Sequence, residues 1–413
     1  YEQNLLLLQK LEVLKSLGCP VLLGTSRKSV IGLTLDLPAH QRINGTIATT
    51  VLGVVKGCSF VRVHDIKENV QAMVDRCNEQ GIAIAGVIKG TTGFPQCAQM
   101  FKEGGAKMIA SSRLEQIEDT IAYGVDLPTM LLRIPMLSEV DEVVRLCDIS
   151  LNSEVAVLKA LNEAAAKQNK IHKVIIMADV GDLREGFWDK DEMVEAAVFV
   201  ENELKNLNLA GVGFNVGCWG SIEPMPDNLN ELVSIAERIE ARIGRELEYI
   251  SGGATSTLMR VIDGNVPERI NLLRCGEGII LARDLDIFYG YDMSYMHQDV
   301  YKLYAEVIEV RDKPTHPVGK IAIDCFGHKP VYEDRGIRRR ALLAMGRVDY
   351  GSIEEIFPVE KGVSLVGAAS DHTIMDVEDA ERRLEVGDIV EFDVNYASLV
   401  YLTASRNVNK EFI

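Results

Sequence analysis

The sequence predicts an α/β protein: a (β/α)8 TIM barrel followed by a compact C-terminal all-β domain and preceded by a two-unit βα fragment. Three observations predict it. Residues 82–281 alternate short apolar strands with amphipathic helices in eight units. From about residue 300 the apolar period changes to two, between turns rich in Gly, Pro and Asp. Residues 1–65 hold two more βα units, which a single eight-unit barrel has no room for. The boundaries follow as 1–65 for the fragment, 66–290 for the barrel and 291–413 for the β domain.

The fragment reads as a helix (LLLLQKLEVLKSLG), a strand (PVLLGTSRKS), a second helix over 43–56 and a strand (SFVRVHD). The barrel strands read as IAIAGVI (82–88), KMIAS (107–111), TMLLRI (129–134), DISL (148–151), KVIIMADV (173–180), GVGFNV (211–216), LEYISGG (247–253) and NLLRCG (271–276). The clearest helix between them spans 228–243. Leu229, Leu232, Val233, Ala236, Ile239 and Ile243 keep one face apolar, with Asp227 as N-cap and Gly244 past the end. Another begins at Ser153 and runs through Val157, Leu158, Leu161 and Ala165. In the β domain DVYKLYAEVIEV, VGKIAID, ALLAMG, VSLVGAAS, TIMDV, DIVEFDV and LVYLTAS read as strands.

The bulk numbers narrow the function. The 413 residues carry a formal charge of −17, spread along the chain, whereas nucleic-acid binding wants a basic face. Small molecules are the expected partners. The eight cysteines occur singly and the seven histidines are scattered, so no metal site is expected and the thiols suit a reducing, cytoplasmic setting. No apolar run approaches the roughly 20 residues that span a membrane, and the start has no basic signal region. Tyr1 in place of Met leads us to expect a sequence incomplete at its start.

Barrel chemistry collects at the C-terminal strand ends, with phosphate often held after strands seven and eight. Strand one ends in AGVIKGTTG, where Lys89 is followed by small residues. Strand five runs into ADVGDLREG with Arg184, and strand six ends at Asn215. Strand seven ends in SGGATST, whose Ser251, Gly253, Thr255 and Ser256 suit close approach of backbone N–H groups to a phosphate. Strand eight supplies Arg274, Gly276 and Glu277. Each feature alone has a plain explanation: a surface lysine, an ordinary turn, an Arg184 ion pair with Asp182 or Glu185. Together, an amine, two guanidiniums and a two-part cradle point to pyridoxal 5'-phosphate, with Lys89 as the Schiff-base lysine.

From about residue 66 the chain resembles the alanine-racemase-like (fold-type III) pyridoxal-phosphate enzymes, and within them the ornithine racemase branch. The motifs that carry this, in order, are AGVIKG, LLRIPMLSEVDEVV, SLNSE, NKIHKVIIMADVGDLREGF, ISGGATST, RCGEGIILARD, PVGKIAIDCFGHKPVYEDRGIRRRA and GAASDHTIMDV. The resemblance implies an amino-acid racemase in which Lys89 is one of two catalytic bases. It places Arg274 against the pyridine nitrogen, Arg184 at the cofactor's phenolic oxygen and the substrate carboxylate, and Asn215 beneath the ring. It also implies a homodimer with shared active sites. The second base departs from the family, whose tyrosine is missing from GKIAIDCFGHKP; Asp324, Cys325, His328, Asp371 and His372 are the candidates. Ornithine also needs an acidic partner for its distal ammonium, from Asp182, Glu185 or Glu277. A D-amino-acid lyase or dehydratase, a cofactor-carrying protein without activity, and an inactive fusion are the alternatives.

Residues 1–65 resemble the C-terminal end of dihydropteroate synthase, through GTSRKS and FVRVHD. That resemblance would give Lys28, Arg62 and His64 contacts to pterin and phosphate. A site drawn from strand ends all round a barrel cannot form from the last two units, so no synthase activity is expected. The fusion point is expected between His64 and Asn69, with SFVRVHD replacing the strand that opens the racemase and joins its β domain.

Overall fold

Parity along each barrel strand decides what lies inside. Residues two apart share a face, and in β3 (Ala83–Val87) Ala85 and Val87 point inward while Ile84 packs outward against helices. The computed structural model describes residues 1–14, 22, 23, 25, 28–36, 48, 49, 52, 60, 61, 66–324 and 326–412. Its described chain separates into two compact units, residues 1–65 with 409–413, and 66–408.

In the first unit, helices Glu2–Gln9, Leu11–Leu14 and Ser29–Leu35 accompany two short parallel strands, β1 (Leu22–Leu23) and β2 (Phe60–Val61). Leu8, Leu11, Leu23, Val30 and Ile31 form its small core. The structure differs from expectation at two points. A helix, Ser29–Leu35, begins at the last residue of GTSRKS, and among the described residues β2 pairs with β1. The predicted helix 43–56 lies mostly outside the described residues, as do Arg62 and His64; Lys28 sits exposed at the N-terminus of Ser29–Leu35.

In the second unit eight parallel strands close a barrel in the order β10–β3–β4–β5–β6–β7–β8–β9. After β3 they are β4 (Met108–Ser111), β5 (Thr129–Leu131), β6 (Ile149–Asn152), β7 (His172–Ala178), β8 (Leu207–Phe214), β9 (Tyr249–Ser251) and β10 (Leu272–Cys275). Each predicted barrel strand is present; β8 starts four residues earlier than expected and β5 and β9 are shorter. Ala85, Val87, Met108, Ala110, Met130, Ile149, Leu151, Ile175, Met177 and Leu272 fill the interior, so the barrel is a packed core and not a pore. The longest helix spans Pro226–Ile243 and ends at Gly244 with φ 75°, as a left-handed cap requires. Its start differs from expectation: Pro226 takes the first helical position and Met225, not Asp227, is the N-cap, its N–H donating to Asn228 Oδ1 in the first turn at 3.2 Å. Helix Ile66–Asn78 buries Val70, Met73, Val74 and Cys77 against the barrel, and its buried Asn69 bonds Ile279 O and His297 O and accepts from His297 N.

Six antiparallel strands then form one sheet in the order β13–β16–β11–β12–β15–β14: β11 (Lys302–Pro314), β12 (Ile337–Leu343), β13 (Ile356–Pro358), β14 (Ser364–Ala368), β15 (Thr373–Asp376) and β16 (Ile389–Val394). Two predicted strands are corrected. VGKIAID is irregular and exposed, Val318 at 93% and Ile323 at 69%, because Pro314 and Pro317 lead into it and no neighbouring strand pairs with it among the described residues. LVYLTAS lies in a helix, Tyr396–Ala404. Its apolar residues read equally well at either period, and burial of Leu399 and Leu402, three apart on one face, decides for the helix.

Candidate functional site

Strand parity carries the site residues into the barrel mouth. Lys89 continues the inward set Ala85–Val87, and Arg274 continues Leu272. Register places Arg274 beside Ala85 and Cys275 beside Gly86 across the β10–β3 closure, so the two cations come from neighbouring strands. Lys89 opens a short 3-10 turn, Lys89–Thr91. Its side chain is exposed to solvent, yet the protein atoms round it still weigh on its charge. Burial pushes its pKa below the ordinary lysine value. Arg184 and Arg274 add to the fall, and Cys218 and Glu185 oppose it. A larger fraction of neutral amine is what attack on an aldehyde carbon needs.

Arg274 is buried at 4% exposure. One terminal nitrogen donates to Ser251 Oγ and the other to Phe214 O at 2.7 Å. Burial pulls its pKa down to about 10, so it remains a cation at neutral pH. Both acceptors are neutral, and no carboxylate pairs with Arg274 among the described residues. A buried charge without an ionic partner is costly, and this one stands where an acceptor on a bound group would complete it.

The two small-residue turns meet beside it. Gly253 has φ 102°, Ser256 Oγ donates to Val216 O at 3.0 Å, and Gly278 N–H donates to Thr255 Oγ1 at 3.2 Å. A side chain at Gly276 would meet Val87 O at 3.1 Å, and one at Gly278 would meet Thr255 at 2.8 Å. The close approach therefore depends on glycine. Small residues, backbone N–H groups and hydroxyls on one side, and an unpaired buried guanidinium on another, fit the phosphate and the pyridine ring of pyridoxal phosphate.

On the opposite wall, Arg184 is half-exposed and binds both oxygens of Glu185. Asn215 donates to Cys218 Sγ at 3.2 Å. Two acidic candidates are already occupied. Asp182, 2% exposed, accepts from the N–H groups of Gly217 (3.0 Å), Gly220 (3.1 Å) and Trp219 (3.1 Å). Glu277 is buried in its own turn and accepts from Arg283 N and Asp284 N; burial and the neighbouring Asp284 carboxylate push it up to about 8.

Among the described residues, no hydrogen bond or ion pair joins the second-base candidates Asp324, His328, Asp371 or His372 to Lys89, Arg184 or Arg274. Asp324 accepts from Phe326 N and His328 N in the exposed 315–336 segment, and its carboxylate lies 3.6 Å from His328 Nδ1. Asp371 and His372 sit exposed in the turn between β14 and β15. Cys325 lies outside the described residues.

Two site residues escape a reading by sequence pattern. Cys218 stands three residues past the end of the inward set, in a loop that strand parity does not reach. Tyr396 opens the helix whose pattern predicts a strand. Its ring packs at the Lys89 turn, where a side chain at Gly90 would meet it at 2.7 Å. Burial, with Cys218, Glu277 and Asp284 nearby, pushes the Tyr396 phenol up. Thr403 of the same helix reaches Thr92 Oγ1 at 2.5 Å and Gly90 O at 3.5 Å.

The fold and mouth define a barrel-plus-sheet enzyme of pyridoxal-phosphate amino-acid chemistry. The pattern of the family described as alanine racemase, N-terminal domain, matches residues 61–284, and that of pterin binding enzyme matches residues 1–64. Ornithine racemase of Acetoanaerobium sticklandii is 38% identical over 86% of this chain and 98% of its own. Lysine racemase of Thermotoga maritima is 37% identical over 86% and 97%. Dihydropteroate synthase of Clostridium beijerinckii is 62% identical over 73 residues, 17% of this chain and 27% of the synthase. In fold, the chain is similar to the crystal structure of alanine racemase from Streptomyces lavendulae, with TM-score 0.65 and 18% identity over 83% of this chain and 93% of that one. The chain belongs to the alanine racemase family, as a pyridoxal-phosphate-dependent amino-acid racemase carrying a quarter-length piece of a pterin-binding barrel ahead of it.

Proposed function

We propose that the chain interconverts L- and D-ornithine, or a closely similar dibasic amino acid, as a cytoplasmic homodimer. The observation that carries it is the Lys89 amine at the end of an inward-facing strand set, next to the Arg274 strand and lowered by burial and by the charges of Arg184 and Arg274. Bound here, pyridoxal phosphate acidifies the α-proton of an amino acid. Lys89 holds the cofactor and moves that proton on one face. Thr255, Ser256 and the N–H groups of Gly276 and Glu277 hold the phosphate, with Ser251 and Gly253 shaping the turn. Arg274 faces the pyridine nitrogen; a guanidinium that stays protonated cannot give that nitrogen a proton, which favours return of the proton to the same carbon. Arg184 steers the carboxylate, and Asn215 supports the ring from below.

Racemisation needs a second proton-moving group on the other face. In this reading it comes from the β domain of a second copy, packed head to tail, among Asp324, Cys325, His328, Asp371 and His372. Asp324 and His328 are supported by their proximity to each other.

For the substrate's distal ammonium the reading assigns Glu185. Asp182 is held by three backbone amides and Glu277 by two, whereas Glu185 is paired with the Arg184 side chain and its charge also acts on Lys89 and Arg274. The names of the two full-length relatives, ornithine and lysine racemase, support a dibasic substrate. The domain reading is a racemase of barrel (66–290) and β domain (291–413), with residues 1–65 taking no part in turnover.

The deciding experiment is α-proton exchange followed by NMR in deuterated water, with added pyridoxal phosphate. The panel holds D- and L-ornithine, lysine, arginine, alanine and serine, and Lys89→Ala is the control. Exchange with inversion of ornithine, absent in the control, is expected. Alanine turning over as fast as ornithine would end the Glu185 assignment, and no exchange with cofactor bound would end the racemase reading of this fused chain.

A further inference from the structure

Arg184 and Cys218 lie near Lys89 on two separate loops; their side chains bond each other, and the Asp182 carboxylate ties the same two loops through backbone. The loop after β7 carries Asp182 and Arg184; the loop after β8 carries Gly217, Cys218, Trp219 and Gly220. Asp182 Oδ1 accepts from Gly217 N and Gly220 N, and Oδ2 accepts from Trp219 N. Cys218 is the one residue of that run whose own N–H the carboxylate leaves alone. It is bracketed on both sides, so its Cα has little room to move.

The fit is close on both partners. A side chain at Gly220 would meet Asp182 O at 2.6 Å, and Gly217 has φ 84°. Leu183, between Asp182 and Arg184, takes φ 57° and stands 65% exposed, a conformation an apolar side chain adopts only when its surroundings impose it. Asp179 imposes it by accepting from Gly181 N and Leu183 N. Asp182 carries no ion pair among the described residues; its charge is satisfied by backbone amides, and such charge-assisted bonds are about twice as strong as neutral ones.

We propose that Asp182 is a positioning residue for the reaction, a buried clamp that fixes Arg184 and the Cys218 thiol at set distances from Lys89. It touches neither cofactor nor substrate. Its effect passes through the two residues it places, and it rests on the racemase reading only for the activity readout.

The test uses the full chain loaded with pyridoxal phosphate. Asp182→Asn keeps the shape but turns one acceptor into a donor aimed at backbone N–H groups. Racemisation kcat is expected to fall by about tenfold to a hundredfold, as misplacement on the ångström scale does. KM should change less than kcat, and the cofactor absorbance should stay near the parent's, with the thermal midpoint lowered by the unmatched buried donor. A second readout needs no turnover: labelling of Cys218 by iodoacetamide, followed by mass spectrometry of its peptide, is expected to speed up by about fivefold as the loop opens locally. Both kcat and labelling within about twofold of the parent would overturn the proposal. If Asp182→Asn does not fold, Gly220→Ala decides in its place, since it wedges the loops apart with the carboxylate intact; parent-like labelling there overturns the clamp. A parent chain that racemises nothing, paired with faster labelling in Asp182→Asn, sustains the clamp and removes the substrate reading instead.

Discussion

The two ends of the barrel treat polar groups in opposite ways. At the floor, where strands begin, polar groups satisfy one another. Thr129 N donates to Asp148, His172 Nε2 lies 2.8 Å from Ser150 Oγ, and Lys173 bridges Glu248 at 2.7 Å. At the mouth, where strands end, Lys89 and Arg274 have no ion-pair partner among the described residues, beside turns whose Gly276 and Gly278 leave no room for a side chain. The floor uses its polar residues to hold strands in register. The mouth pairs Arg184 with Glu185 but gives Lys89 and Arg274 no carboxylate among the described residues, which lowers stability locally and keeps those two available to a ligand.

That contrast can be broken at several points, and the largest effect belongs to Lys89→Ala. It should abolish covalent retention of the cofactor, seen as loss of the bound absorbance band after gel filtration. Racemisation should fall by about 10³-fold or more, with the thermal midpoint unchanged or raised because a crowded cation has gone. A large loss of stability would mean the lysine is structural.

The floor yields next, to acid. Burial lowers His172 from 6.5 to about 4. Its folded pKa lies below the unfolded one, so the stability it contributes is present above pH 6.5 and is lost as pH falls toward 4. The loss is on the order of 3 kcal/mol, since a tenfold change in proton affinity is worth about 1.4 kcal/mol. His172→Gln should flatten chemical-denaturation stability between pH 7 and 4 while leaving kcat at neutral pH in place. An unchanged acid slope would remove His172 from that account.

Arg274→Gln should reduce kcat by about a hundredfold, the scale of losing one preorganised charged donor, with a smaller change in melting temperature than in rate. The mildest change is expected from Glu185→Gln. It should raise KM for ornithine by about tenfold, the scale of one half-buried charge contact, and leave alanine unaffected. Equal effects on both substrates would move the distal-amine contact elsewhere.

The strands are legible in the sequence because a period of two is written directly into them, and with the period comes the inward position of Lys89, Arg274 and Ser251. What stays hidden lies where period gives no guidance. Cys218 and Asp182 meet through loop geometry that depends on Leu183 and Gly217 taking left-handed backbone angles. Tyr396 is hidden by a run, YASLVYLTA, apolar enough to satisfy either period, so that only packing against the Lys89 turn and Tyr350 decides its form. VGKIAID misleads in the other direction: its alternation is real, but among the described residues nothing covers Val318 or Ile323 and Ile321 is only partly buried. Alternation in an unpaired, exposed segment is the form a contact with another copy would take, and the proposed dimer assigns it one.

The helix Tyr396–Ala404 has one more consequence, in time. Thr403 braces Thr92 across 311 residues of chain. At a ribosomal pace of about 5–20 residues per second, that separation is roughly 15–60 s. During that interval the nascent chain holds Lys89 without the brace, and barrel closure itself waits for β10 to reach β3. Premature termination anywhere in the β domain therefore costs the Lys89 turn its support, even with every strand of the barrel already made.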